Sequence, residues 1–302
     1  LLSRRQRQMC IRDRPDVVGS MDIRYAEQFS VDYLADGSAL AEVADGRRYL
    51  IIPDGGEVPE QLPEDVTVIS QPENIYLASS SSMDLFSSLD CLGDILASST
   101  PESGWKLPEI AQAMADEDIL YAGKYSSPDI ELLMSEGCDL AIENMMIYHS
   151  PKTAEQIESC GIPVFIERSS AESHPLGRLE WVRLYGLMLG KSDEAEKFFS
   201  EKCSLLDEVT SRESTGCTAA FFYISSNGSA VVRKPGDYIS KMIELAGGKY
   251  VFTAGDLNVD ENALSSANIQ FEAFYALAKD ADCLIYNLSL IHISEPTRHA
   301  QI

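Results

Sequence analysis

His174–Arg212, HPLGRLEWVRLYGLMLGKSDEAEKFFSEKCSLLDEVTSR, is the stretch that decides the fold. Leu179, Val182, Tyr185 and Leu189, then Phe198, Phe199, Leu205, Leu206 and Val209, recur at helical spacing, with Glu180, Arg183, Asp207 and Glu208 between them. The pattern predicts an amphipathic helix with one buried stripe. Gly190-Lys191-Ser192 interrupts it, and Asp193 followed by Glu196 resembles a capping box that restarts the second half. Unbroken, the run would reach roughly 50 Å at about 1.5 Å per residue, long enough to join two lobes.

Strand-then-helix units precede this run. Ile119–Ala122 comes before GKYSSPD and a helix over 130–136, Leu140–Ile142 before ENMMIYHSP and a helix over 153–159, and Val164–Ile166 before ERSSAESHP and the long helix. That alternation predicts a mainly parallel sheet whose ligand-facing loops follow the carboxyl ends of the strands. After the run come AAFFYIS (219–225), a loop at Ser226–Ser229, AVV, a helix over 238–246, KYVF, a helix over 271–278 and CLIY. At the other end, Tyr25–Pro53 alternates around Ala35-Asp36-Gly37-Ser38 and Asp45-Gly46, which predicts a small antiparallel meander closed by Gly55-Gly56 and Pro59. Val66–Ile69 and Ile75–Ala78 then read as short apolar strands, followed by helical DLFSSLDCLGDIL.

Arg4–Arg14, RRQRQMCIRDR, and Leu288–Arg298, LSLIHISEPTR, resemble translations of a transposase-based sequencing adapter; MCIRDR and LSLIHI can be written as the same short DNA in opposite orientations. They are set aside from fold reasoning, and a basic tail binding nucleic acid is the competing reading of the first. Without their charged residues, five arginines against Asp13 at one end and a balanced pair at the other, the formal charge moves from −24 to −28. So acidic a surface repels nucleic acid and anionic membrane and suits basic partners. No run of about 18 apolar residues exists, so no membrane-spanning helix is expected. Cys91, Cys138, Cys160, Cys203, Cys217 and Cys283 form no C-x-x-C pair and are expected to be buried thiols, a disulfide being the alternative in an exported protein.

Several segments, taken in order, resemble the substrate-binding proteins of ABC importers for iron-siderophore, haem and cobalamin. IELLMSEGCDLAIE is similar to the family's helix-strand stretch, with Glu131 at its Glu and Asp139 at its Asp. CGIPVFIE resembles the strand that follows, LGKSDEAEKF the end of the connecting helix, and IELAGGKYVF the second lobe's A-G-G turn. FEAFYALAKDADCLIY repeats the Glu-helix-Asp-strand motif with Glu272 and Asp282. The family's Pro-Asp is Cys138-Asp139 here, and Lys249-Tyr250 stands where Asn-Val is usual. The resemblance implies an α/β fold of two Rossmann-like lobes joined by one long connecting helix, with a ligand cleft between the lobes and the meander at the N-terminus. The expected domains are the meander (15–60), the first lobe (61–173), the connecting helix (174–212) and the second lobe (213–287), with residues 1–14 and 288–302 adapter-derived. It also implies an extracytoplasmic monomer, periplasmic or anchored as a lipoprotein, that delivers its ligand to a permease whose arginines pair with Glu131 and Glu272. Charge-assisted contacts of that kind fix orientation; the competing reading of the two glutamates is a pair of solvated first-turn residues.

The loops after the strands carry the candidate ligand residues. Trp105, Tyr125, Tyr148 and Tyr223 can stack on a ring or catecholate, and Lys124, Arg168 and Arg178 can pair with carboxylates or an anionic ferric chelate. Tyr121, inside a strand, reads as core. Met145, Met146, Tyr148 and His149 invite a soft-metal or haem reading, but two histidines outside the set-aside ends are too few for a His-rich zinc site. The expected cargo is a metal chelate: an iron-siderophore, with haem or a corrinoid as alternatives. No resident cofactor and no bare metal-ion site are expected, the alternative being a haem or corrinoid held by one axial ligand, His149 or a tyrosine.

Enzyme signatures are weak. Gly190-Lys191-Ser192 mimics the end of a P-loop without its first glycine or a preceding strand, and neither G-x-G-x-x-G nor G-x-S-x-G occurs. Glu143 and Glu167 could act as an acid–base pair only if the fold brings them together. Not an enzyme is therefore the expectation; the alternatives are an α/β enzyme using a cofactor in the cleft, or the sensing domain of a receptor.

Overall fold

Two Ala-Asp-Gly turns set the N-terminal sheet. Gly37 and Gly46 take φ of +88° and +89°, the left-handed conformation these tight hairpin loops require and glycine adopts without a Cβ clash. They connect β2 (Phe29–Leu34), β3 (Ala39–Val43) and β4 (Arg48–Ile52), with β1 (Val17–Ser20) on the outer edge, all antiparallel. The computed structural model describes residues 16–60 and 62–287, so the two adapter-like ends lie outside the described residues. β5 (Val66–Ser70), which the sequence places at the start of the α/β lobe, instead pairs parallel with β4. The reason is visible in β4 itself: Tyr49–Ile52 is buried at every position, the pattern of a strand covered on both faces.

The second sheet carries β6 (Ile75–Leu77), β7 (Ile95–Ser98), β8 (Leu120–Tyr121), β11 (Leu140–Glu143) and β12 (Val164–Ile166), all parallel, in the order β12-β11-β6-β7-β8. A small hairpin, β9 (Gly123–Lys124) with β10 (Ser127–Pro128), follows β8. The helices between the strands are α1 (Met83–Ser88), α2 (Pro108–Ala115), α3 (Ile130–Ser135) and α4 (Pro151–Ser159). The expected helix over DLFSSLDCLGDIL stops early. Asp90 takes φ of +57°, a conformation no helix continues through, and Ile95 onward becomes β7.

An aromatic cluster locks the meander to this sheet. Phe29 meets Trp181 at 4.9 Å and Tyr49 meets Phe165 at 4.7 Å, both edge to face. Phe165 also touches Trp181 at 6.2 Å and Tyr185 at 6.4 Å. Each such ring pair adds about 0.5–1.5 kcal/mol to its area burial. The Tyr49 hydroxyl accepts from Ile166 N–H at 3.2 Å, so the seam is hydrogen-bonded as well.

The run that opened the sequence is two helices in series, α5 (Pro175–Met188) and α6 (Ser192–Thr210), broken where Gly190-Lys191-Ser192 interrupts the pattern. Gly190 takes φ of +66° and Lys191 N–H donates to Gly186 O at 2.6 Å, the Schellman arrangement that ends a helix. The two helices do not form a straight rod. A Cβ on Gly186 would lie 2.4 Å from that of Ala195, and Arg183 Nε reaches Glu196 Oε2 at 2.7 Å, whereas in one straight helix these pairs would be separated by roughly 14 Å and roughly 20 Å along the axis. Gly186→Ala is therefore expected to force the crossing apart at a cost of about 1–3 kcal/mol. Urea denaturation reads the difference, and an unchanged midpoint would contradict so close an approach. The stripe is also uneven: Trp181, Val182, Leu184, Tyr185 and Phe199 are buried, while Leu205 and Val209 are exposed. Glu180, expected among the solvated positions, is fully buried.

The chain divides into two compact units, and the division falls inside α6. The first holds the chain up to Ser170 together with Gly177–Ser200; the second holds Ala171–Leu176 and the chain from Glu201 on. The second unit is built on β13 (Thr218–Ile224), which pairs antiparallel with β14 (Ala230–Arg233) and parallel with β15 (Lys249–Tyr250) and β17 (Cys283–Tyr286). β16 (Ser266–Ile269), which the sequence reading does not pick out, joins β14, giving a mixed sheet. α7 (Tyr238–Leu245), α8 (Ala254–Leu257) and α9 (Phe271–Ala278) complete this unit around a core of Ala220, Val232, Tyr250, Phe252 and Phe274.

The repeated Glu-helix-Asp-strand motif is built alike in both units. Asp139, just before β11, accepts from Glu73 N–H at 2.8 Å and Asn74 N–H at 3.1 Å, fastening the chain that enters the neighbouring strand β6. Asp282, just before β17, accepts from Thr218 N–H and Oγ1, both at 2.8 Å, at the start of its neighbour β13. These bonds hold the Asp282 carboxyl below the usual carboxylate range. Cys91, Cys138 and Cys203 are buried, Cys160 is half-buried, and Cys217 and Cys283 are exposed; all six are free thiols. Burial was expected of all six; it fails for Cys283, which lies in the wholly exposed strand β17, and for Cys217, in the exposed segment just before β13.

Candidate functional site

In the first unit the order of the parallel strands reverses between β6 and β11, the position at which open α/β sheets bind ligands outside the carboxyl ends of the strands. The loops that leave these ends are tied together by buried polar groups. Glu167, directly after β12 and fully buried, accepts from Ser79 Oγ at 2.6 Å, Ser81 Oγ at 3.0 Å and Ser169 N–H at 2.8 Å. Asn144, directly after β11, donates from Nδ2 to Ala78 O at 3.2 Å and caps the 3-10 turn Met145–His149 by accepting from Met146 N–H at 2.9 Å. The loops after β6, β11 and β12 are thus preorganised by hydrogen bonds. Thr153 Oγ1 donates to Ser126 O at 3.0 Å and brings the β9–β10 hairpin to the start of α4.

Tyr148 and Arg168 come together on this rim. Arg168 donates from a terminal nitrogen to the Tyr148 hydroxyl at 3.1 Å, its guanidinium lies 5.8 Å from the centre of that ring, and its Nε donates to Gln28 Oε1 at 3.2 Å. The Tyr148 hydroxyl in turn donates to Asp45 Oδ2 at 2.6 Å. Burial, and next the bond to Asp45, push the Tyr148 phenol above its ordinary range. Gln28 and Asp45 belong to the meander, and sequence reasoning did not assign them to the site. Asp45 was legible only as a turn residue, because its partner is about a hundred positions away.

The other candidates are placed as follows. His149 and Lys124 are exposed and Met145 is half-buried in the same set of loops. Tyr125 packs against the core of the first unit, and Trp105 is half-buried with its Nε1–H donating to Thr100 O at 3.2 Å. Arg178, in the first turns of α5, donates to Ser170 O at 2.6 Å. Tyr121, expected in the core, is 46% exposed because β8 is the edge strand. Tyr223 is exposed on β13 of the second unit. Glu131 and Glu272 occupy equivalent positions, each exposed in the first turn of its helix, α3 and α9. Among the described residues no group of three or more His, Cys, Asp or Glu is arranged to hold a metal ion, and no helix is long and apolar enough to cross a membrane.

Glu143 and Glu167 do lie on neighbouring strand ends, with Glu167 N–H donating to Glu143 O at 2.9 Å. Their environments differ. Glu143 ends β11 on the same face as Ala141, which packs in a core cluster with Tyr76, and neither carboxyl oxygen of Glu143 has a hydrogen-bond partner. Burial alone pushes its carboxyl up to about 8. With both side chains fully buried, neither is presented to a substrate at the surface.

The sequence profile of the periplasmic binding proteins matches residues 81–290. The chain belongs to the periplasmic binding protein family. A relative of this binding protein is an uncharacterized lipoprotein of Methanocaldococcus jannaschii, 25% identical over 270 residues, an alignment covering 83% of the present chain and 62% of the relative. The chain thus spans less than two thirds of that relative's length. Among solved structures, the petrobactin-binding protein of Bacillus subtilis superposes with a TM-score of 0.61 at 13% identity, covering 86% of this chain and 80% of the other. A periplasmic binding protein of Veillonella parvula gives 0.59 at 18% identity, covering 76% and 75%. The periplasmic haem-binding protein of Vibrio cholerae gives 0.57 at 15% identity, covering 70% and 75%. At these identities the likeness establishes the fold: an α/β binding protein of two lobes, with antiparallel strands added at the N-terminus.

Proposed function

We propose that this chain is the extracytoplasmic solute-binding component of an ABC importer. In this reading it captures an anionic metal chelate, in the first instance a ferric siderophore, and hands it to the permease. The observation that carries the reading is Arg168: a half-buried guanidinium at the carboxyl ends of parallel strands, held by a tyrosine hydroxyl and a glutamine oxygen and, among the described residues, by no carboxylate. In a chain with 48 acidic residues, a cation whose direct hydrogen-bond partners are these two neutral groups suits an anionic ligand. Solved proteins of the same fold that bind petrobactin and haem support the ligand class, and the lipoprotein relative of Methanocaldococcus jannaschii supports a place outside the cytoplasm.

Glu131 and Glu272, in matching positions of a motif built alike in both units, are the proposed contacts to permease arginines. A thermal-shift screen with ferric siderophores, haemin and cobalamin tests the ligand class. Ferric siderophores are expected to raise the unfolding temperature and to be recovered unaltered, whereas stabilisation by cobalamin alone would reassign the cargo. In the full importer, Glu131→Lys with Glu272→Lys is expected to abolish uptake and leave ligand affinity unchanged. Weakened ligand binding would refute a docking role.

A further inference from the structure

The Tyr148 hydroxyl has one proton to donate, and its bond at 2.6 Å commits that proton to Asp45. It accepts from Arg168 on the other side at 3.1 Å, so Asp45 and Arg168 share one phenol oxygen without forming an ion pair of their own. Asp45 is not a loose surface group. Its Oδ1 accepts from Arg47 N–H at 3.1 Å, its Oδ2 lies 3.7 Å from Arg47 Nε, and Gly46 N–H closes the turn on Val43 O at 2.8 Å. The sheet that carries the turn is fixed to Phe165 through Tyr49. For Tyr148 to ligate iron it would have to lose its proton, placing a phenolate against a carboxylate at hydrogen-bond distance.

We propose that Asp45 is a specificity-determining residue of this rim: by holding the Tyr148 proton it keeps that oxygen out of iron coordination, so cargo is gripped through the Arg168 charge and not through a phenolate–iron bond. The inference rests on the importer reading and deepens it, favouring an iron already enclosed by its own chelator over a haem seeking an axial tyrosine. Asp45 is reached from the meander, which gives that sheet a part in ligand selection.

The test uses the whole chain as wild type, Asp45→Asn, Tyr148→Phe and the double variant; asparagine retains the oxygen that accepts from Arg47 N–H and removes the charge that faces both Tyr148 and Arg47 Nε. Without ligand, the Tyr148 phenol is titrated by carbon NMR of labelled rings, and Asp45→Asn is expected to titrate at lower pH than wild type. With haemin as probe, the wild-type complex is expected to lack a phenolate-to-iron charge-transfer band, Asp45→Asn to gain it, and the double variant to lose it again. An unmoved phenol titration, or a wild-type band that Tyr148→Phe removes, overturns the role of Asp45 alone. Failure of wild type to bind haemin and every ferric chelate overturns the importer reading instead, and the specificity role with it.

Discussion

Glu180→Ala is expected to lower the stability of the first unit by about 3–5 kcal/mol, the usual cost of removing one partner from a buried charged network. Glu180 accepts from the backbone N–H groups of Arg24, Tyr25 and Ala26 at 2.9, 2.8 and 2.8 Å, and from Arg183 at 3.0 Å. The segment it holds lies so near α5 that a Cβ on Gly177 would come within 2.8 Å of Tyr25 O. Alanine would leave three backbone donors without their acceptor, each at a cost of about 1–3 kcal/mol, while Arg183 would keep Glu196 and Asp22 O as partners. Denaturation with urea measures the loss, and hydrogen exchange at residues 24–26 should show their amides released. A variant as stable as wild type, with those amides still protected, would mean the docked segment is held by other contacts.

Glu143→Gln is expected to be more stable than wild type in mildly alkaline solution. The unfolded carboxyl ionises near its ordinary value of about 4.3, whereas in the folded protein burial moves it to about 8. Between those two values the folded state keeps a proton that the unfolded state has released. Stability therefore falls as pH rises across this window, by about 1.4 kcal/mol for each pH unit and on the order of 4–5 kcal/mol in all. Below the window the contribution is fully present. Glutamine cannot ionise, so the variant should lack this part of the slope and match wild type most closely near pH 4 to 5. Denaturation curves at a series of pH values read it directly; parallel stability profiles for the two proteins would show that Glu143 is already ionised and solvated in the fold.

Much of the fold was legible because periodicity and turn chemistry are local. Val164–Ile166, Phe271–Ala278 and Cys283–Tyr286 form the elements their patterns predict, at the predicted bounds. Both Ala-Asp-Gly turns close hairpins. What was not legible depends on partners distant in sequence. The pattern of Val66–Ser70 fits any sheet, and only pairing with Arg48–Ile52 assigns it to the meander. The break at Gly190 could be read, but not the sharp crossing, because Gly186 and Ala195 are small for a reason visible only when they touch. Glu180 sits at a position where helical periodicity predicts solvent, and it is buried because the chain at 24–26 returns to cover it.

The same limit applies to the candidate site. Arg168 and Tyr148 could be proposed as residue types suited to a chelate, and the structure brings them within 3.1 Å. Asp45 and Gln28 escaped notice because nothing in a hairpin turn announces a contact with a loop so far along the chain.

Calorimetric titration of the whole chain with ferric siderophores of catecholate, hydroxamate and carboxylate type, wild type beside Arg168→Gln, bears most directly on cargo capture by this rim. Wild type should bind at least one of them saturably in a one-to-one complex, and Arg168→Gln should weaken that binding by roughly 10- to 100-fold, the loss of about 1.5–3 kcal/mol from a charged hydrogen bond. Equal affinity in the two proteins, or no binding of any of the three by wild type, would contradict it.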